Sequence, residues 1–129
     1  MKQVFVAGNP LVKEDSLALK VAEELGKELE DVEFKAIDSL GEIGEIPDNL
    51  YIIDVAKGLE KVQVVKDLGK LQELKLVSLH DFDIGTELLL FKKIGKVKNV
   101  TIIAIPLGYN LEKAVEESKS ILGKELKGI

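Results

Sequence analysis

The sequence predicts an α/β protein, a three-layer α/β/α sandwich around a mainly parallel, mixed sheet of about five strands. Three observations lead there. Short apolar, β-rich runs recur along the chain, and amphipathic stretches with helical spacing separate them. The run at 50–56 is nearly all apolar, as expected for the centre of a parallel sheet covered on both faces.

Each element follows from local pattern. "QVFVAG" (3–8) is a buried strand ending in the Gly-Asn-Pro turn signal. Leu17, Val21, Leu25 and Leu29 recur every four residues with charges between them, which predicts a helix over roughly 16–30 capped by Asp15 or Ser16. "VEFKAI" (32–37) alternates and predicts a half-exposed strand, and the Gly-, Pro- and Asp-rich stretch that follows predicts a loop. "LYIIDVA" (50–56) is a central strand, "KVQVVK" (61–66) an edge strand and "LKLVSL" (74–79) a further apolar run. A helix over 86–96 should end near Gly95. "VTIIAI" (100–105) is stopped by Pro106 and Gly108. Leu111, Ala114, Val115, Ser118, Ile121 and Leu122 then form one face of a final helix with Asn110 as its N-cap. With no internal repeat and no linker, we read residues 1–129 as one domain.

Composition removes whole classes of function. The net charge of −5 leaves no excess of cations to displace phosphate counterions, which argues against nucleic acid as a partner. All 18 cations are lysine, so the bidentate guanidinium clamps for carboxylate or phosphate are missing. The absence of cysteine removes disulfides, thiolate nucleophiles and iron–sulfur ligation. "MKQVFVAGNP" has too short an apolar run for a signal peptide or membrane span, so a cytoplasmic protein without membrane contact is the expectation. Nothing in the sequence addresses oligomeric state.

Ligands of open α/β sheets bind outside the carboxyl ends of the strands, so the polar residues that follow each strand matter most. They are Gly8 and Asn9, with Glu14 and Asp15 at the helix entrance, then Asp38, Asp54, and the group Ser78, His80 and Asp81. Asp15 reads equally as a helix cap and Asp38 as a turn residue. His80, the single histidine, taken alone reads as a structural polar residue at a strand-to-helix corner. Asp54 is different, because a carboxylate closing the apolar run "YII" requires a partner once buried. Two carboxylates and an imidazole together make a mixed oxygen and nitrogen metal site for a divalent ion. A phosphate loop, a dinucleotide glycine fingerprint and a nucleophile elbow are all absent.

"VFVAGNPLVKED", "YIIDVAKG" and "SLHD", in that order and spacing, resemble the hydrogenase maturation endopeptidases over roughly residues 3–105. The resemblance implies a metal-dependent endopeptidase that removes the C-terminal tail of a nickel-loaded NiFe hydrogenase large-subunit precursor. It carries the metal-binding positions onto Asp15, Asp54 and His80, and a further acidic position onto Asp38; Asn9, beside the first strand, and Ser78, a neighbour that would orient His80, are read as accessory residues. It implies that nickel is contributed by the substrate, with cadmium or zinc able to substitute. No general base is assigned. The family's glycine-rich helix start reads "EDSLAL" here, with both glycines replaced. That departure motivates an alternative, a non-catalytic nickel- or partner-binding relative on the same scaffold. A phosphoacceptor receiver domain fits the length and Asp54, but lacks the acidic pair after the first strand and the lysine before Pro106.

Overall fold

Strands form where the apolar runs occur, and their order shows which of them share a core. The computed structural model describes residues 2–8, 16–37, 40–67, 70, 75–76 and 84–126. The elements are β1 (Lys2–Ala7), α1 (Ser16–Glu28), β2 (Val32–Ile37), β3 (Asn49–Lys57), β4 (Gln63–Val65), β5 (Lys75–Leu76), α2 (Ile84–Lys93), β6 (Asn99–Pro106) and α3 (Leu111–Glu125). The sheet runs β2-β1-β3-β6-β4, with β5 added to β3. β1, β2, β3 and β6 are mutually parallel, whereas β4 and β5 pair antiparallel.

The sheet has six strands, in keeping with the mainly parallel, mixed sheet expected from sequence, and the place of the sixth follows from β3 being longer than β1. β1 ends at Ala7, level with Asp54, and β3 continues to Lys57. On its β6 side Ala56 already pairs with Pro106, and its carbonyl accepts the Leu107 N–H at 2.9 Å. β5 therefore takes the slot beyond the end of β1, with Leu76 opposite Ala56 and Lys75 opposite Lys57. The remainder of the 74–79 run lies outside the described residues. β4 is an edge strand, as its alternation predicts, and the loop after β2 contains a short 3₁₀ turn at Leu40–Ile43.

Both faces of β3 are covered. Val21, Leu25, Ala114 and Leu122 of α1 and α3 pack with Val4, Val6, Ile53, Val55, Ile103 and Ile105 on one face. Leu88 of α2 packs with Phe5, Leu50, Ile52, Ala56 and Ile102 on the other. The three layers are thus α1/α3, sheet and α2. Two helix ends are closed by the expected signals. Gly95 adopts φ +81°, and the N–H groups of Gly95 and Lys96 donate to the carbonyls of Lys92 and Phe91, a Schellman cap on α2. At α3, the Asn110 Oδ1 accepts the Lys113 N–H at 3.0 Å. Replacing Asn110 with Ala should cost about 1 kcal/mol. In thermal unfolding that is a midpoint lowered by about 4 °C.

Candidate active site at the carboxyl edge of the sheet

Asp54 is 1 % exposed, the one charged side chain among the described residues that is buried. Its place follows from strand alternation. Leu50, Ile52 and Ala56 point into the α2 layer and Ile53 and Val55 into the α1/α3 layer, so Asp54 points toward α2. Level with it across the sheet stand Ala7 of β1, next to Val6 which pairs with Ile53, and Ala104 of β6. Both alanines are fully buried, and Gly8 follows the first of them. The carboxylate is therefore bordered on both neighbouring strands by nothing larger than a methyl group. Its Oδ1 accepts the Val55 N–H at 2.8 Å, which meets part of the hydrogen-bonding demand of a buried carboxylate.

Of the candidate site residues read from sequence, Asp54 is the one side chain that is described, with the backbone of Gly8. Asp15, His80, Asp38, Asn9 and Ser78 lie outside the described residues, as does the cap of α1 before Ser16. Their described chain neighbours share one edge of the sheet. Gly8 leaves β1 there, and Ile37, the last residue of β2, is in register with Ala7. α1 connects two parallel strands and so begins at that edge too. Leu76 of β5 pairs with Ala56, two residues beyond Asp54. Among the described residues no group of three acidic, histidine or cysteine side chains forms a metal site.

The small neighbours Ala7 and Ala104 were not singled out from sequence. Their signal is the single alanine that closes or interrupts the runs "VFVAG" and "IIAIP". A second unanticipated feature lies in the α3 layer. Glu117 accepts the Tyr109 O–H at 2.7 Å and the Val62 N–H at 3.0 Å, tying the approach to β4 onto α3. The Tyr109 hydrogen bond, then the Val62 N–H and nearby lysines, hold the Glu117 carboxyl below the usual range although burial opposes them. Both tyrosines are pushed upward, Tyr109 by its bond to Glu117 and Tyr51 by burial and then by Glu125. Neither phenol is set up as a base near neutral pH.

A group whose folded pKa is depressed stabilises the fold above its unfolded value, and that contribution disappears as pH falls through the folded one. Glu117→Gln should therefore destabilise by about 1 kcal/mol at neutral pH, a charged hydrogen-bond loss reduced by partial exposure. The difference from wild type should shrink as pH falls below the ordinary glutamate value of 4.5. Denaturant titrations between neutral and acid pH would measure it, and a difference unchanged at acid pH would contradict the assignment.

No protein-family model matches the sequence, and no curated protein matches it significantly. Solved structures do. The hydrogenase maturating endopeptidase HybD from Escherichia coli superposes with a TM-score of 0.67 at 18 % identity, covering 97 % of this chain and 94 % of its own. The chain has the fold of the hydrogenase maturation endopeptidases. The endopeptidase HycI from Escherichia coli gives 0.64 at 17 % identity, over 96 % of this chain and 90 % of its own. An uncharacterised protein from Wolinella succinogenes gives 0.57 at 18 % identity, over 98 % and 96 %. At these identities the likeness establishes the endopeptidase fold. The receiver alternative loses its footing here. Receivers order their strands 2-1-3-4-5, whereas here the last strand, β6, stands fourth and an antiparallel β4 closes the edge. Among the described residues no helix is long and apolar enough to cross a membrane.

Proposed function

We propose that the protein is a cytoplasmic, metal-dependent endopeptidase that removes the C-terminal tail of a nickel-loaded NiFe hydrogenase large-subunit precursor. The observation that carries this reading is the burial of one carboxylate, Asp54, at the carboxyl edge of a sheet with the endopeptidase fold. Burying a charge costs stability, and buried charges are kept where they pair or coordinate. In this reading Asp15, Asp54 and His80 hold the nickel that arrives with the precursor, and Asn9, Asp38 and Ser78 support them. Carboxylate oxygen and imidazole nitrogen suit a divalent ion of intermediate softness, so cadmium and zinc would substitute. An ion held beside a peptide bond polarises its carbonyl or lowers the pKa of a bound water. The part of Asp54 is to supply a carboxylate, one oxygen of which accepts the Val55 N–H, from a buried position level with Ala7 and Ala104.

The reaction is tested by incubating the protein with nickel-loaded precursor and following the intact mass of the large subunit. Loss of the C-terminal tail, with the nickel-free precursor untouched, is the expected result. No cleavage under conditions where a hydrogenase maturation endopeptidase trims the same precursor would contradict it. Nickel binding by calorimetry without cleavage would instead support the non-catalytic relative, the reading motivated by the replaced glycines of "EDSLAL".

A further inference from the structure

We propose that the outer edge of β2 is a self-pairing surface, at which two copies of the chain join antiparallel about a two-fold axis through Phe34. All six residues of β2 pair with β1 on one side, and no described strand pairs with them on the other. Glu33, Lys35 and even the small Ala36 are exposed. Ile37 is buried, so over residues 32–36 the edge presents those N–H and C=O groups that point outward, the condition in which one strand templates another. The opposite edge, β4, has only three residues.

The side chains make this edge complementary to itself. Gln3 Nε2 donates to the Glu33 carboxylate at 3.0 Å, which fixes Glu33, and Lys35 by alternation, on the α2 side of the sheet. Phe34 lies on the α1 side, half-buried, where with Leu19, Ala22, Val32 and Ala36 it lines an open groove of about 320 Å³. A two-fold axis perpendicular to the sheet preserves its faces, so directly opposed residues must share a face and the axis must pass through a residue. Through residue 33 it sets Glu33 against Glu33, and through 35 it sets Lys35 against Lys35, like charges that oppose pairing. Through Phe34 it sets Glu33 opposite Lys35 twice, Val32 opposite Ala36 twice, and Phe34 against Phe34. The alternating charges that shield an edge from other strands thus select one register of this chain with itself. Such a contact is isologous, and both copies contribute the same patch.

A pairing this short belongs among small interfaces, below about 1,200 Å² in total, so the dimer is a weak one. Sedimentation equilibrium of the full chain tests it. Wild type should pass from monomer to dimer as its concentration rises to about 1 mM. E33K and K35E should each stay monomeric, because each sets like charges across the axis. An equimolar mixture of the two should dimerise, since the E33K copy presents two lysines and the K35E copy two glutamates. The double exchange E33K/K35E should dimerise as wild type does. Wild type that remains monomeric at about 1 mM, a dimer indifferent to K35E, or a mixture that stays monomeric would each overturn the proposal.

Discussion

Asp54→Asn is expected to keep the fold and to slow cleavage of the nickel-loaded precursor by more than about 100-fold, beyond the ~10–100-fold lost when an outer-shell partner of a metal ligand is removed. Asparagine has nearly the shape of aspartate, and its carbonyl oxygen still accepts the Val55 N–H that Asp54 accepts at 2.8 Å. What is removed is the charge. If the buried carboxylate serves only to accept hydrogen bonds within the fold, the amide oxygen accepts the Val55 N–H too and the rate is kept. A variant with wild-type circular dichroism and thermal midpoint that cuts within about threefold of the wild-type rate, a difference under 1 kcal/mol, would show that the charge has no catalytic part.

Ile53→Ala has the opposite signature, although it is the adjacent residue. Ile53 is fully buried on the α1/α3 face, in the middle strand of the sheet, opposite Val6 and Ile103. Truncation removes three carbons from a site walled by neighbouring strands that cannot close in, so the loss should be about 3–4 kcal/mol. That is a large share of the ~5–15 kcal/mol that stabilises a domain of this kind. The thermal midpoint should fall by about 10–15 °C. The cavity opens away from Asp54, so below its lowered midpoint the variant should cut at close to the wild-type rate. A midpoint lowered by less than about 3 °C would mean that the strand is not packed as described. The pair separates the two faces of one strand, since Asp54→Asn removes activity with the fold intact and Ile53→Ala weakens the fold with activity intact.

The elements were legible because each is written in adjacent residues. The fourfold apolar spacing in α1, Gly95 at its positive φ and Asn110 before α3 all act within a turn or two of themselves. The pairings that join distant segments were not legible. No local pattern says that Gln63–Val65 lies beside the last strand or that Lys75–Leu76 fills the gap above the end of β1. Those choices come from strand lengths and from which faces remain to be covered. The candidate site divides the same way. A buried aspartate is readable from an apolar run that ends in a charge, whereas its level with Ala7 and Ala104 depends on register between three strands. The Glu117 bonds to Tyr109 and to Val62, the latter 55 residues away, have no sequence signal at all.

In the proposed function Asp54 shares one metal site with Asp15 and His80. A crystal of the protein soaked with cadmium, read by anomalous scattering, tests it most directly. We expect one strongly occupied ion at the carboxyl edge of the sheet, bound by carboxylate oxygens of Asp15 and Asp54 and by a ring nitrogen of His80. Cadmium bound only elsewhere, or at Asp54 with His80 turned away from it, would contradict the account.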